Sequence, residues 1–441
     1  MKFRIICILL FFCFNLFGFS QGKFVIQNKR KSDKIKFKLI NNLIVIPVEV
    51  NGVKLSFLLD TGVSKPIIFN FLNVSDTLEI KKTETIFLRG LGEGQMVEAS
   101  KSENNIFKIG DAIKLNQDLY AVYGEKLNLA PRLGIPIHGI LGFDLFRDLV
   151  VEINYSSGYL RLTEPQHFTY KKCKNCERFN LEFYNGKPYI NLDVALEEEN
   201  IPVKLLVDTG GSDALWLFKN DSLGLGLGDK RFYHDFLGHG LNGSVYGKRA
   251  KVNEITLKSF VLKNANVAFP DSSAVLFAQK IRNRNGSLSG NILKRFNIIF
   301  DYQKARMVLK KNKFFNEKFT YNKSGIELAH DGMRLVRAAD DKISKQRNQG
   351  FNRTNINIET QYKLLLKPAY TIVELREGSP AHASGLKIGD VLMTINGKHA
   401  FYYSLQEIMN MFHGDTGKKI KLKVERDGRP LYCTFALEEL L

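Results

Sequence analysis

Two aspartates stand in the same tripeptide at two places in the chain. Asp60-Thr61-Gly62 follows the largely apolar run Leu55–Leu59, and Asp208-Thr209-Gly210 follows Val203–Val207, 148 positions later. Each run predicts a buried strand that ends in a tight turn carrying a carboxylate. Two such carboxylates meeting at a two-fold axis could not both ionise. They would share one proton and could activate a water molecule against an amide carbonyl.

Other landmarks repeat in the same register. Three glycines recur at an offset of 148 positions: Gly90 with Gly238, Gly92 with Gly240, and Gly142 with Gly290. Similar segments then follow at 143–155 and 291–302, the second one residue shorter. The period is too long for a solenoid and favours a duplicated pair of domains.

The remaining residues of the two turns have supporting roles that follow from their chemistry. Glycine lets each loop approach its symmetry partner closely, and each threonine hydroxyl can bond across the axis. Val63 and Gly211 come next, each followed by a small polar serine. The predicted supporting residues are Thr61, Gly62, Ser64, Thr209, Gly210 and Ser212.

On these motifs the chain resembles the pepsin and retropepsin-like aspartic proteases. It is most similar to bacterial envelope members that fuse two retropepsin-like halves to a PDZ domain. The resemblance implies an all-β, bilobal pair of β-barrels with Asp60 and Asp208 as the catalytic dyad. It also implies that the glycine-rich hairpins are flaps over the cleft, with flap residues Gly90, Gly92, Gly238 and Gly240. Neither a metal nor an organic cofactor is needed for this chemistry.

The segment behind the second catalytic loop departs from the family pattern. Leu288-Ser289-Gly290 stands where two bulky apolar residues usually precede the glycine, as Ile140-Leu141-Gly142 does in the first copy. We therefore expect weaker support behind the second loop.

The pattern changes after Lys313. Ser379-Pro380-Ala381, the segment 385–392 and Ile395-Asn396-Gly397 resemble a bacterial PDZ domain over about 70 residues. Ser404 to Glu407 form a capping box before an amphipathic helix. The resemblance implies a groove that binds protein C-termini or extended peptides as an added strand. Its predicted residues are Gly325, Ile326, Glu327, Leu328, Leu405, Ile408, Met409 and Phe412. The alternative is that the apolar helix face belongs to the core.

Length and composition fit an exported protein of several domains. A chain of 441 residues with 44% apolar content can hold about three domains with ordinary cores. Lys2 and Arg4 precede an apolar run at 5–19, which predicts a signal peptide cleaved before Gln21. The run is short for a membrane anchor, and no later segment is long and apolar enough to cross a bilayer. The expected location is the periplasm or cell surface of a bacterium.

The strong positive charge does not by itself indicate nucleic-acid binding. The formal charge is +19, or +17 once Lys2 and Arg4 are removed (62 basic against 45 acidic residues). The basic residues are spread along the chain without a helix-turn-helix, RNP or zinc-finger pattern. A solvated basic surface is the interpretation, with no specific nucleic-acid partner.

The cysteines predict a local disulfide between the two halves. Cys173 and Cys176 are separated by two residues, and an oxidising exported environment favours their pairing. A zinc site would need two further ligands nearby, and none stands at a suitable spacing. A redox role is also disfavoured, because the motif does not open the first helix of a thioredoxin-like unit.

The predicted organisation is a signal peptide at 1–20, a first half at 21–165, a linker at 166–180, a second half at 181–315 and a PDZ domain at 320–441. The PDZ domain contains a polar, basic insertion near 338–361, predicted to be mobile. The predicted function is an aspartic endopeptidase that cleaves polypeptides as a monomer with an intramolecular dyad. Two alternatives stay open: a non-catalytic peptide-binding scaffold, and an obligate dimer whose halves pair between chains.

Overall fold

The computed structural model describes residues 22–70, 78, 80, 82–123, 127–197, 199–281, 283–339 and 362–441. The predicted signal peptide and most of the predicted insertion at 338–361 lie outside these residues. Within the described ranges, no helix is long and apolar enough to cross a membrane.

The first half is built from β-strands with two short helices. Its elements are β1 (Val25–Ile26), β2 (Ser32–Lys36), β3 (Lys38–Ile40), β4 (Leu43–Val50), β5 (Val53–Leu59), β6 (Ile67–Ile68), β7 (Lys82–Leu88), β8 (Val97–Ile109), β9 (Ala112–Ala121), α1 (Ala130–Leu133), β10 (Gly139–Leu141), α2 (Phe143–Asp148), β11 (Val150–Asn154) and β12 (Tyr159–Thr163). Nine of the strands form one sheet in the order β1-β9-β6-β10-β5-β4-β8-β7, with β3 added on β4. A 3₁₀ turn at Pro165–His167 leads out of this half.

The second half repeats this plan. Its elements are β13 (Cys176–Asn180), β14 (Glu182–Tyr184), β15 (Lys187–Ala195), β16 (Asn200–Asp208), β17 (Leu215–Leu217), β18 (Tyr233–Gly240), β19 (Gly243–Leu257), β20 (Phe260–Pro270), α3 (Ser272–Gln279), β21 (Gly286–Ser289), α4 (Gly290–Leu293), β22 (Phe296–Asp301) and β23 (Arg306–Lys311). Eight of the strands form a sheet in the order β14-β15-β16-β21-β17-β20-β19-β18. A 3₁₀ turn covers Asp221–Leu223.

A six-stranded sheet joins the two halves behind the cleft. Its order is β13-β23-β22-β11-β12-β2, and β11 of the first half pairs antiparallel with β22 of the second. The last five residues of the predicted linker form its edge strand β13. Cys176 begins this strand and is joined by a disulfide to Cys173, with the two Cα atoms 5.6 Å apart. The disulfide therefore lies where the chain enters the shared sheet.

The PDZ domain follows as a separate sheet with two helices. Its elements are β24 (Ile326–Ala339), β25 (Tyr362–Leu375), α5 (Pro380–Ala383), β26 (Val391–Ile395), β27 (Lys398–His399), a 3₁₀ turn (Ala400–Tyr402), α6 (Leu405–Phe412), β28 (Lys419–Arg426) and β29 (Arg429–Ala436). The sheet runs β24-β25-β26-β28-β29. The long strands β24 and β25 pair along their length, from Ile326 opposite Leu375 to Ala339 opposite Tyr362. The predicted all-β bilobal fold with an added α+β PDZ domain is confirmed.

Local sequence explains how the central strands are presented. The strand pairs β4–β5 and β14–β15 turn at Asn51-Gly52 and Asn185-Gly186, where all four residues have positive φ angles. Asn-Gly pairs are favoured in such turns because asparagine and glycine tolerate the left-handed region. The last three residues of β5, Phe57–Leu59, are all buried because this strand lies between β4 and β10 with both faces covered. The buried end of β5 is therefore held in place by its neighbours, just before Asp60.

Candidate active site

The two Asp-Thr-Gly loops meet at the centre of the molecule. Asp60 follows β5, and Asp208 is the last residue of β16. A Cβ atom on Gly210 would lie 2.2 Å from Cγ of Asp60, so only glycine lets the second loop pass this close. A Cβ atom on Gly62 would lie 3.0 Å from Oδ1 of Asp60 and 3.5 Å from Oδ1 of Asp208. The structure brings the two predicted catalytic carboxyls together.

The two threonines lock the loops to each other. The backbone N of Thr61 donates to Oγ1 of Thr209 at 3.1 Å, and the backbone N of Thr209 donates to Oγ1 of Thr61 at 3.0 Å. Each hydroxyl donates in turn to a carbonyl across the axis, Thr61 to Val207 at 2.5 Å and Thr209 to Leu59 at 2.7 Å. Both threonines are fully buried. Water therefore cannot replace these bonds, and the loops hold one fixed geometry.

Backbone amides orient the carboxyls. The N–H of Gly62 donates to Oδ1 of Asp60 at 2.6 Å, and the N–H of Gly210 donates to Oδ1 of Asp208 at 2.9 Å. One oxygen of each carboxyl is thus held by its own loop. The two carboxyls also hydrogen-bond to each other.

The serines that follow connect each loop to a hairpin of the opposite half. The Ser64 hydroxyl donates to the carbonyl of Asn185 at 2.6 Å. The carbonyl of Ser212 accepts from Nδ2 of Asn42 at 2.8 Å. The two contacts are related by the pseudo-two-fold axis, but only the first uses the serine side chain. Both tie the catalytic loops to the strands that flank them.

The pKa values of the two carboxyls differ in a way that suits a shared proton. Burial, and then the charge of Asp208, raises the pKa of Asp60 to about 7. Burial also raises the pKa of Asp208, but the positive charges of Arg284 and Lys187 oppose the shift. Each carboxyl is enclosed by protein while keeping a partly accessible surface. The pair therefore favours a state in which the two carboxyls share one proton.

The segment behind the second loop is offset by one residue from the predicted alignment. Leu141 pairs with Leu59 in the first half, whereas Leu288 pairs with the equivalent Val207 in the second. The equivalence of Gly142 with Gly290 is therefore wrong, and Ser289 occupies the position of Gly142. The copies differ by one residue in this region, and only the strand pairing reveals where the offset falls. Leu288 is fully buried, like Leu141, so the expected loss of apolar support is confined to Ser287, which replaces Ile140.

The offset explains why different residues follow the two Asp-Thr-Gly turns, Val63 in the first half and Gly211 in the second. In the first half, a Cβ atom on Gly142 would lie 2.0 Å from the carbonyl oxygen of Asp60, and Val63 carries the side chain instead. In the second half Ser289 carries a side chain, and a Cβ atom on Gly211 would lie 2.7 Å from its Oγ. Each half therefore has glycine at one of these two facing positions. In the first half it is Gly142, which faces Val63, and in the second half it is Gly211, which faces Ser289.

The two glycine-rich hairpins meet tip to tip above the dyad. The turn between β18 and β19 places Asn242 within the loop between β7 and β8. The N–H of Asn242 donates to the carbonyl of Leu91 at 2.9 Å, and its own carbonyl accepts from the N–H of Gly94 at 2.8 Å. Its side chain binds the N–H of Gly90 and the carbonyl of Gln95. Sequence reasoning missed Asn242, although it lies just after the repeated glycines.

Two of the other predicted flap glycines, Gly92 and Gly240, lie in the same contact. A Cβ atom on Gly92 would lie 2.6 Å from the carbonyl carbon of Asn242, and one on Gly240 would lie 2.3 Å from the carbonyl oxygen of Leu91. Gly238 has a positive φ angle of 151° at an irregularity in the β18–β19 pairing. The tips of the two flaps are thus joined by hydrogen bonds and close packing.

The predicted peptide groove of the PDZ domain faces the protease halves. Leu405, Ile408 and Phe412 on α6 are buried in the PDZ core with Ile326 and Leu328, and Met409 packs at its edge. Gly325 has a positive φ angle of 85°, and a Cβ atom on it would lie 2.3 Å from Cβ of Ser379. Its N–H donates to Oδ1 of Asn322 at 3.2 Å. The apolar face of the helix thus packs into the core of the PDZ domain, and its first turn borders another domain.

Contacts of the first half close one end of this groove. Helix α1 packs against β24, and a Cβ atom on Gly134 would lie 2.9 Å from Cβ of Leu405. The N–H of Asn41 donates to Oε1 of Gln406 at 2.7 Å. Neither contact has a signal in the sequence, because the residues are more than 200 positions apart.

Charged residues fix the PDZ domain to the flap of the second half. Arg132 of the first half forms an ion pair with Glu374 at 2.9 Å, and Tyr246 donates to the same carboxylate at 3.1 Å. Arg376 lies 3.6 Å from Asp235 on β18. A cavity of about 500 Å³ lies between β18 and the loop at Gly325. An ion pair and a hydrogen bond therefore connect the flap of the second half to the PDZ domain.

Glu327 is half-buried beside these groups. Its predicted role is in the carboxylate-binding loop, and its side chain accepts from Nδ2 of Asn322 at 3.2 Å. Burial, and then the charge of Asp235, raises its pKa to about 7. The side chain faces the protease halves rather than solvent, so this part of the predicted loop belongs to the domain interface.

Family comparisons agree with this architecture. Residues 46–145 and 192–293 each match the family model described as aspartyl protease, and residues 371–426 match a PDZ domain. The chain therefore consists of two aspartyl protease-like halves followed by a PDZ domain. No curated protein matches the chain. Within the described residues, no group of three or more His, Cys, Asp or Glu side chains is placed to hold a metal ion.

Proposed function

We propose that the chain is an aspartic endopeptidase with Asp60 and Asp208 as its catalytic dyad. The observation that supports this most strongly is the convergence of the two carboxyls in loops interlocked by Thr61 and Thr209. Both carboxyls come from one chain, so the proposed enzyme is active as a monomer. Its substrates are polypeptides that lie extended between the dyad and the two flaps.

The proposed reaction uses one water molecule and one shared proton. Ionised Asp208 takes a proton from the water as its oxygen attacks the peptide carbonyl carbon. Protonated Asp60 donates its proton to the carbonyl oxygen, which gives a neutral tetrahedral diol. When the diol collapses, Asp208 passes its proton to the leaving nitrogen, the C–N bond breaks, and Asp60 recovers its proton from the hydroxyl. The dyad ends in the state in which it began.

The proposed role of the PDZ domain is to bind extended peptides or protein C-termini close to the flaps. The loop at Gly325 and the start of β24 lie against the flap of the second half, across the 500 Å³ cavity. Because the same domain contacts α1, binding of a peptide along β24 requires the α1 contact to loosen. Export to the periplasm or cell surface is the proposed location, supported by the N-terminal pattern at 2–20 and the disulfide at Cys173 and Cys176.

Catalysis is tested with purified protein and a mixed library of unfolded polypeptides. Asp60→Asn and Asp208→Asn should each reduce kcat by about 10³-fold or more, because the dyad acts as a unit. The matched control is Asp221→Asn, which removes an exposed carboxylate far from the dyad and should keep full activity. Thermal melting should show all variants folded.

The alternatives predict different outcomes. If the wild-type protein cleaves nothing yet binds unfolded peptides, the scaffold hypothesis replaces the enzyme. If activity falls steeply on dilution with loss of a dimer by mass measurement, the site is shared between chains. Full activity in either aspartate variant would exclude a shared dyad.

A further inference from the structure

Lys187, the first residue of β15, lies near the catalytic Asp208, the last residue of β16, and the two charges interact. Strands β15 and β16 pair antiparallel with Tyr189 opposite Leu206. The same register, continued by two residues, places Lys187 opposite Asp208. Opposite residues of an antiparallel pair direct their side chains to the same face. The Lys187 side chain therefore lies on the face of the sheet that carries the catalytic carboxyl.

The equivalent position in the first half holds an apolar residue. Strands β4 and β5 pair with Val45 opposite Leu58, so the same continuation places Leu43 opposite Asp60. Leu43 is buried in an apolar cluster with Ile67. The two walls beside the dyad thus differ at symmetry-related positions, one apolar and one basic.

Lys187 lies among charged groups without forming an ion pair of its own in the described part of the chain. The side chain is half-buried and has no hydrogen bond or ion pair with any residue that the structure describes. The charged groups that face it are Arg284 and the two catalytic carboxyls, in that order of influence. Arg284 is itself buried and is fixed by hydrogen bonds to the carbonyl of Gly286 at 3.0 Å and to the Ser287 hydroxyl at 2.6 Å.

A second polar group in this wall has no partner. The hydroxyl of Tyr189 is buried without a hydrogen bond among the described residues, and the side chain is 2% exposed. Tyr189 follows Lys187 by two positions on the same strand and so shares its face. A buried donor without an acceptor is costly unless a ligand supplies one.

From this arrangement we infer that Lys187 determines specificity, by favouring an acidic side chain in the substrate residue that lies against the second half beside the scissile bond. The inference rests on the proposed endopeptidase function and names its substrate class. A substrate carboxylate would accept hydrogen bonds from the Lys187 ammonium and the Tyr189 hydroxyl, with Arg284 adding positive potential. The wall at Leu43 would take an apolar residue on the other side of the bond.

The test uses peptides that differ only by Glu or Gln at one position, with each position flanking the scissile bond examined in turn. At pH 5.5 the wild-type protein should favour Glu over Gln at one position by about tenfold in kcat/KM, the effect of one charge-assisted hydrogen bond. Lys187→Met should reduce this ratio to near one, and Lys187→Arg should retain most of it. Lys219→Met is the matched control, because it removes an exposed positive charge of the same half and should leave the ratio unchanged.

The pH dependence of the ratio separates substrate recognition from an effect on the dyad. The preference for Glu should disappear as the pH falls below about 4, where the peptide carboxyl gains a proton. Cleavage of the Gln peptide does not depend on that proton. A Glu to Gln ratio near one in the wild type, or a ratio unchanged in Lys187→Met, overturns the inference while leaving the endopeptidase proposal intact.

Binding measurements decide the inference even without turnover. Non-cleavable reduced-amide versions of the Glu and Gln peptides should bind the wild-type protein with Kd values about tenfold apart, and Lys187→Met should bind them equally. Equal affinities in the wild type would contradict the inference. Failure of all peptides to be cleaved would instead count against the endopeptidase proposal.

Discussion

In the first half the wall beside the dyad is apolar, with Leu43 packed against Ile67, whereas in the second half Lys187, Tyr189 and Arg284 stand in its place. The loops at the axis show the opposite behaviour. There the hydrogen bonds of Thr61 are reproduced almost distance for distance by those of Thr209. Residues that meet at a symmetry axis must satisfy each other and are restrained to stay alike. Residues that face the substrate have no such restraint.

This difference has a simple physical basis. A peptide bound across the dyad has a direction, so its two ends present different side chains to the two walls. A pair of identical walls could not distinguish one orientation from the other. Differences between the halves at Leu43 and Lys187 can therefore fix the orientation of the substrate.

The PDZ domain adds a further asymmetry. It contacts the first half through α1 and holds the flap of the second half through Asp235 and Tyr246. The described residues of the flap of the first half instead contact α3, where the N–H of Gly92 donates to the carbonyl of Ala274 at 3.1 Å. In these contacts the PDZ domain holds the second flap.

The largest expected effect tests the exchanged glycines behind the loops. Gly142→Ala should destabilise the protein by about 3 kcal/mol, because the new Cβ would lie 2.0 Å from a backbone oxygen that cannot move independently. The equivalent substitution in the second half, Ser289→Ala, should change stability by less than about 0.5 kcal/mol. Urea unfolding of the two variants measures both values. Equal losses would mean that the one-residue offset is misplaced.

The next effect tests the symmetry of the threonine contacts. Thr61→Val and Thr209→Val each remove a hydroxyl that donates one buried hydrogen bond and accepts another, and each should cost roughly 2 kcal/mol. The two losses should be equal within error, and the double variant should lose less than their sum because both side chains serve one network. Chemical unfolding gives the three values. A large difference between the single variants would show that the two loops are not equivalent.

A smaller effect tests the link between the PDZ domain and the flap. Glu374→Gln removes the charge that pairs with Arg132, a partly exposed ion pair worth about 1 kcal/mol. The matched control is Glu425→Gln, which breaks the ion pair with Arg334 inside the PDZ domain. Hydrogen exchange should become faster in β18 and β19 for the first variant only. Equal exchange in both variants would show that the flap does not depend on this contact.

Much of the fold and the centre of the site could be predicted from the sequence. The Asp-Thr-Gly turns, the glycine-rich hairpins and the PDZ motifs are local, so their residue types report their conformation directly. The position of Ser289 could not be predicted, because a one-residue difference between the copies has no visible location until strands pair. Lys187 was missed because the repeat draws attention to residues that recur. The contact between Arg132 and Glu374 joins residues 242 positions apart, and only packing of the domains creates it.

The smallest effect concerns the pH dependence of catalysis, in which Lys187 of the second half acts on Asp60 of the first half. The reaction needs the proton on Asp60, whose pKa is raised to about 7, so activity should fall as the pH rises through about 7. Lys187 lowers the pKa of Asp60 through its positive charge. Its removal in Lys187→Met should therefore move the alkaline limb of the kcat/KM profile to higher pH. The shift should be the same for peptides with Glu and with Gln, because it arises from the dyad rather than from the substrate.

The same proton affects stability. Asp60 binds its proton more tightly in the folded chain than in the unfolded chain, so the stability that this proton contributes is complete at low pH and is lost as the pH rises through about 7. Asp60→Asn removes this titration, and its melting temperature should vary less than that of the wild type between pH 5 and pH 8.

The kcat/KM profiles of the wild type and of Lys187→Met are measured with the Gln peptide, and Lys219→Met serves as the charge control. An alkaline limb that stays in place, or moves to lower pH, would mean that the Lys187 charge does not reach the dyad and that the basic wall acts on the substrate alone.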